Sequence, residues 1–152
     1  MEKAYYTSPL GVLEITGDAA GVHSILFSEK TGHFPDAVPE CLKKCVSQLD
    51  EYFEGKRHNF DLPLVFTGTE FQKQVWKALS TLPYGKTASY GEVAHKIKKP
   101  KAMRAVGNAN HKNPHTIVTP CHRVIGSNGQ LIGYGGGLWR KEWLLDFERR
   151  NR

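Results

Sequence analysis

Hydrophobic and polar positions change rhythm twice along this chain. Residues 4–7, 11–16 and 22–27 are short β-branched or aromatic runs, separated by Ser8-Pro9 and by the stretch from Gly17-Asp18 to Gly21. That spacing predicts an antiparallel meander of three strands, which alone would be marginal in water. Val38, Leu42, Cys45, Val46, Leu49, Tyr52 and Phe53 then recur at helical spacing until Gly55 stops the pattern. The apolar stripe so formed is what the sheet needs to cover one face. Residues 60–69, with Pro63 and Gly68, read as a connection, and a domain boundary is expected near Thr67.

The second half is helical in rhythm. Thr69 precedes Glu70-Phe71-Gln72 and Ser89 precedes Tyr90-Gly91-Glu92, the spacing of two reciprocal N-terminal caps. Phe71, Val75, Trp76 and Leu79 continue the first helix to the Pro83-Tyr84-Gly85-Lys86 turn. Val93 and Ile97 point inward on the second, which stops at Lys98-Lys99-Pro100. A further helix is expected from Lys101 to about Asn110, giving the layout of a helix-turn-helix. Residues 116–119 read as a short strand running into Pro120-Cys121-His122-Arg123-Val124-Ile125, followed by a Ser127-Asn128-Gly129 turn and residues 130–132. After the pliable Tyr134-Gly135-Gly136-Gly137 loop, residues 138–149 return to helix with Trp139, Trp143, Leu144 and Phe147 as the expected buried stripe.

Charge divides the chain at the same place. Residues 1–65 carry six basic and ten acidic side chains, 6 − 10 = −4, and residues 66–152 carry fifteen and five, 15 − 5 = +10. A patch of that sign draws a polyanion, with nucleic acid ahead of an acidic membrane surface or protein; a merely solvated basic face has the same composition. The expected third helix is built of small residues, Ala102, Ala105, Gly107 and Ala109, with only Arg104, Asn108 and Asn110 long enough to reach base edges. Small residues suit close, shape-tolerant approach to a nucleic acid backbone, or equally tight helix packing. Lys98, Lys99 and Lys101 at the helix turn could touch phosphates or simply be solvated.

No apolar run approaches the roughly 18 to 20 residues that span a bilayer, and the first thirteen residues do not read as a secretory signal. No membrane association is expected. Three cysteines, Cys41, Cys45 and Cys121, are an odd number, so at least one free thiol in a reducing compartment is expected. Cys41 and Cys45, one helical turn apart, could join His23 or His58 on zinc, but the spacing matches no recognised pattern and an inner helical stripe accounts for both; no metal is expected. Cys121 and His122 are adjacent. A thiol becomes a good nucleophile as thiolate, and an imidazole oriented by a carboxylate is a usual means of making one. Taken alone, the pair reads first as a buried structural cysteine beside an ordinary histidine.

The segment Pro120-Cys121-His122-Arg123-Val124 resembles the active-site signature of the O6-alkylguanine-DNA alkyltransferases. The resemblance extends through Tyr90, Arg104-Ala105-Val106-Gly107, Asn113-Pro114, Gly133-Tyr134 and Arg140-Lys141-Glu142-Trp143-Leu144-Leu145 to Glu148. It implies direct-reversal repair of double-stranded alkylated DNA, with the damaged base flipped out through the minor groove and its alkyl group passed irreversibly to Cys121. Catalytic roles are implied for Cys121, His122, Glu148, Asn113 and Tyr90. DNA contacts are implied for Arg104, Tyr90, Ala102, Ala105, Gly107, Asn108 and Arg123, and a substrate pocket at Cys121, Val124, Tyr134 and Gly135. In that pocket the carbonyls of Cys121 and Val124 would accept from the guanine amine, and a backbone N–H near residue 135 would donate to O6. Gly135 stands where one version of the family has serine, which implies wider tolerance for bulky O6 substituents. O4-alkylthymine is a second candidate substrate. A thioether gives water nothing to attack, so one molecule repairs one lesion without a cofactor.

The expected architecture is α+β: a small antiparallel-sheet α/β domain over residues 1–66, then a winged helix-turn-helix-like domain over 67–152 carrying DNA binding and chemistry. A monomer in the cytoplasm, or in the nucleus of a eukaryote, is expected. Two other readings remain open at this level: a DNA-binding regulator in which Cys121 is at most a redox sensor, and a Cys-His hydrolase with multiple turnovers.

Overall fold

The structure, a computed structural model, describes residues 1–29, 34, 37–134 and 136–152. It divides into two units, Met1–Thr67 with Pro114–Thr116, and Gly68–Asn113 with Ile117–Arg152. The first unit thus takes three residues from far along the chain.

In the first unit, β1 (Glu2–Ser8), β2 (Gly11–Asp18) and β3 (Gly21–Phe27) form the antiparallel meander in the order β1-β2-β3. Alternation puts Leu13 and Ile15 of β2 on one face, with Ala4 of β1 paired to Ile15 and Ile25 of β3 paired to Ile15 from the other side. Strict alternation would send Val22 to the opposite face from Ile25, yet both are buried. The register shifts between Thr16 and Gly17, and the extra residue on β3 returns Val22 to the core side, opposite Gly17. Gly21, at φ +143, sits so close to Pro63 that a Cβ would lie 2.4 Å from its carbonyl oxygen, so no larger residue fits.

The expected covering helix begins as a 3-10 turn, Glu40–Leu42, and continues as α1 (Lys43–Phe53). Leu42, Cys45, Leu49 and Tyr52 are buried along its inner stripe, whereas Cys41, expected there too, is exposed in the opening turn. Gln48 is buried in the same stripe without penalty, because its side chain pairs with both backbone groups of Asp61, donating to the carbonyl at 3.0 Å and accepting from the N–H at 2.9 Å. The outer edge of β3 is closed by two short segments: Val22 bonds Pro63 and Val65, and Ile25 bonds Pro114 and Thr116.

In the second unit, α2 (Glu70–Leu79) and α3 (Tyr90–Lys96) each start with the reciprocal cap the sequence predicts, on Thr69 and Ser89. The third helix, α4 (Met103–His111), starts two residues later than expected and has no side-chain cap. Trp76, buried on α2, donates its indole N–H to the Ala109 carbonyl of α4 at 2.9 Å, which ties the two helices. A short parallel pair, β4 (Ala88–Ser89) with β5 (Val124–Ile125), follows, and α5 (Leu138–Arg150) closes the chain.

Two sequence-based expectations fail here for a physical reason. Residues 116–119 are not a strand: Thr116 gives its N–H to Ile25, Ile117 adopts a left-handed φ of 74°, and the Thr119 carbonyl is taken by the Asn113 side chain and the Cys121 N–H. With those groups engaged in a turn, no ladder forms, and the strand appears after Cys121 instead. On α5, Trp139 is 56% exposed; the buried positions are Lys141, Leu144, Phe147 and Glu148. Among the described residues no helix is long and apolar enough to cross a membrane.

Replacing Ser89 with alanine removes the acceptor for the Glu92 N–H at the start of α3. Urea denaturation should show a loss of about 1 kcal/mol; an unchanged midpoint would mean that neighbouring structure, not the cap, sets this helix start.

Candidate active site

Cys121 opens a single 3-10 turn, Cys121–Arg123. The turn is closed by the Arg123 N–H on the Pro120 carbonyl and the Val124 N–H on the Cys121 carbonyl. This tight geometry throws three consecutive side chains inward, and all three are buried. His122 and Arg123 both meet Glu148, which α5 delivers on its buried face.

Glu148 is the centre of the arrangement. Its Oε2 lies 2.7 Å from His122 Nε2 and accepts from Arg123 Nη2 at 2.9 Å. Its Oε1 accepts from Arg123 Nε at 2.8 Å and from the Gly85 N–H at 3.3 Å. Arg123 spends its remaining arm on the Leu82 carbonyl at 2.7 Å and lies over the Tyr84 ring. Burial alone would push the Glu148 carboxyl up, but His122 and Arg123 outweigh it and hold the group well below the usual carboxylate range. A carboxylate only accepts, so His122 carries its proton on Nε2 and leaves Nδ1 as a lone pair. That Nδ1 is buried and has no hydrogen-bond partner among the described residues. Burial, helped by Arg123 and Lys141 and opposed by Glu148, lowers the His122 pKa below its ordinary value, so the ring is neutral near pH 7.

The Cys121 thiol is likewise neutral at rest. Burial raises its pKa, while a hydrogen bond from Asn113 and the charge of Lys141 pull the other way without reversing the shift. Asn113, buried after the end of α4, also donates to the Thr119 carbonyl at 2.7 Å, so one amide braces both the thiol and the turn before it. A neutral thiol next to a neutral imidazole with a free nitrogen can lose its proton as it attacks, and needs no standing ion pair.

Tyr90, the first residue of α3, donates to the Ile132 carbonyl at 3.2 Å. Its ring lines a cavity of about 730 Å³ together with Met103, Arg104, Gly107, Asn108 and His111 of α4. Arg104, Ala105 and Asn108 are exposed on that helix, and Ala102 and Gly107 are half-exposed. Gly107 faces the Tyr90 ring, with space for a Cβ only at van der Waals distance. Tyr134 is buried, and its hydroxyl has no partner among the described residues. Gly135 lies outside the described residues. Among those described, no group of three or more His, Cys, Asp or Glu gathers as a metal site.

Known proteins match both units. Residues 1–66 match the family described as 6-O-methylguanine DNA methyltransferase, ribonuclease-like domain. Residues 70–150 match 6-O-methylguanine DNA methyltransferase, DNA binding domain. The methylated-DNA–protein-cysteine methyltransferase of Methanosarcina acetivorans is 46% identical, over 97% of this chain and 98% of its own. That of Mycobacterium leprae is 49% identical, over 93% and 88%. This chain belongs to the methylated-DNA–protein-cysteine methyltransferase family. A crystal structure of the Mycobacterium tuberculosis O6-methylguanine methyltransferase superposes with a TM-score of 0.89 at 44% identity, covering 99% of this chain and 94% of that one. A second, of the same organism's protein in complex with DNA, gives 0.88 at 46%, covering 97% and 92%.

Against the expectations drawn from the family signature, the structure brings Cys121, His122, Asn113 and Glu148 together and leaves Arg104 and Asn108 facing out. It corrects two residues and places a third. Arg123, expected to touch DNA, is 5% exposed and clamps Glu148 with both faces of its fork. Asn110, read as long enough to reach a base edge in the groove, is buried on the inner side of α4. Lys141, quoted only as part of the signature, is wholly buried, and its ammonium donates to the carbonyls of Val124 at 2.5 Å, Ile132 at 2.9 Å and Gly133 at 3.4 Å. Burial brings its pKa down to about 8, with Cys121 opposing. The signal that marks Lys141 and Glu148 in the sequence is their phase: both fall in step with Leu144, where an apolar stripe has no reason to place a charge.

Arg123→Met would take the forked pair of charge-assisted bonds from the buried Glu148 carboxylate. Chemical denaturation should report a loss of about 3–5 kcal/mol. A loss under about 1 kcal/mol would show that the clamp is not what keeps Glu148 ionised.

Proposed function

We propose that this protein repairs O6-alkylguanine in DNA by transferring the alkyl group to the sulfur of Cys121, once per molecule. The observation that carries the reading is the Cys121-His122-Glu148 relay, neutral at its thiol end and ionised at its buried carboxylate end, in a chain that its relatives match over almost its whole length.

In the step itself, Cys121 Sγ attacks the alkyl carbon in line as that carbon's bond to O6 breaks. The thiol proton passes through one water to His122 Nδ1, and Glu148 stabilises the imidazolium that forms, while Arg123 keeps Glu148 from taking the proton itself. The departing guanine takes a proton from Tyr90, whose hydroxyl returns to neutrality at the expense of His122. The products are an S-alkylcysteine and an unmodified guanine. No acyl or imine carbon is present, so water does not regenerate the thiol.

DNA is the substrate, double-stranded and held along the minor groove. α4 lies in that groove, and the small faces of Ala102, Ala105 and Gly107 permit the close approach. Arg104 occupies the place in the stack left by the flipped base, and Asn108 accompanies it on the exposed face. The base enters beside Tyr90, Tyr134 and Val124. Residues 67–152 hold the DNA-binding and reactive parts, and residues 1–66 form the companion domain. The protein acts as a monomer and requires no cofactor.

Incubation with a short duplex containing one O6-methylguanine should add a single methyl to Cys121, stoichiometric with lesion and read by intact mass and peptide mapping. Cys121→Ser should gain none. Binding without a mass change would instead favour a lesion-flagging or regulatory protein, and repeated turnover would favour a hydrolase.

A further inference from the structure

Among the described residues of the reactive unit, Asn110 is a buried side-chain amide whose acceptor end is unused while its donor end is committed. It is 4% exposed, on the side of α4 away from Arg104 and Asn108. Its Nδ2 donates to the Cys121 carbonyl at 3.4 Å, and its side chain is hydrogen-bonded to the Tyr90 hydroxyl. A backbone carbonyl can only accept, so the amide cannot be turned round, and Oδ1 is held facing the other way. That oxygen is buried with no partner among the described residues. An aliphatic side chain would fill the same volume without leaving an acceptor unsatisfied, so a bare oxygen here is a cost that binding can recover.

A carbonyl oxygen has two lone pairs. Those of Cys121 are both engaged, by the Val124 N–H and by Asn110 Nδ2. The Val124 carbonyl already takes the Lys141 ammonium. The acceptors expected to recognise the guanine amine are therefore full or half full in this chain, and the Asn110 amide that donates to the Cys121 carbonyl carries an unused acceptor of its own. We infer that Asn110 Oδ1 accepts a hydrogen bond from the exocyclic amine of the flipped base, which makes Asn110 a residue that selects guanine. Alkylation at O6 removes the ring N–H of guanine and leaves that amine as the donor on its pairing edge. Thymine alkylated at O4 has lost its ring N–H and has no amine, so an unshared acceptor penalises it.

This inference rests on the repair reading, and the test separates the two. Single-turnover methyl transfer is timed on duplexes carrying O6-methylguanine or O6-methylhypoxanthine, the same base without the amine, for the wild type, Asn110→Leu and Asn110→Ala. The wild type should favour the amine-bearing base by about tenfold or more. Both variants should lose most of that preference, slowing more on O6-methylguanine than on O6-methylhypoxanthine, and slowing shared by the two bases reports the lost bonds to Tyr90 and the Cys121 carbonyl. Asn110→Ala cannot clash, so a folding defect peculiar to leucine would not obscure the result. Equal slowing on both bases, or an unchanged preference, overturns the role of Asn110 and leaves the repair reading intact. Absence of transfer from either base by the wild type overturns the repair reading itself.

Discussion

A carboxylate with almost no access to water is the constraint around which the reactive unit is arranged. Removing Glu148 from solvent while it stays ionised costs several kcal/mol unless its oxygens are fully engaged. Arg123 supplies a forked pair of charge-assisted bonds, Gly85 a backbone donor and His122 an imidazole N–H. Each of these fixes something else in turn. Arg123 is pinned to the Leu82 carbonyl beyond the end of α2. His122 is fixed in one tautomer, with its other nitrogen unpartnered among the described residues. Because His122 and Arg123 adjoin Cys121 in one 3-10 turn, satisfying the carboxylate also sets the position of the thiol.

The same arrangement decides the chemistry. A plain His-Glu pair would favour imidazolium, which could not accept a proton from the thiol. Burial, with Arg123 and Lys141 nearby, lowers the imidazole pKa instead, and the thiol pKa is raised. Both partners rest neutral, and in the proposed reaction charge separates only as the alkyl carbon is attacked. In the proposed single-use reaction, a thiol that stays quiet until the correct base is in place is an advantage.

Much of this was legible in the sequence, and the rest was not, for identifiable reasons. The caps on Thr69 and Ser89 are local devices whose partners lie three residues away, and they appear as read. The three-strand meander follows from alternation broken by turn residues. The strand expected before Cys121 fails because Thr116 bonds Ile25 and Asn113 takes the Thr119 carbonyl; β propensity in a four-residue run does not compete with such contacts. Of the stripe expected on α5, Leu144 and Phe147 are buried, but Trp139 is exposed and Trp143 half-buried, and Lys141 and Glu148 complete the buried face instead. Charged groups there are tolerated because distant carbonyls and Arg123 receive them, which no local pattern announces. Arg123 looked like a DNA contact for the same reason: its partner lies 25 positions away, on another helix.

The most direct test of this account is the protonation state of His122 in the free protein, read by long-range proton–nitrogen NMR correlation of its ring across pH. A neutral ring at pH 7, protonated on Nε2 and with Nδ1 bare, is the predicted state, and its titration should lie below the ordinary histidine range. An imidazolium at pH 7, or a neutral ring with its proton on Nδ1, would contradict it, because neither form could take the proton from Cys121.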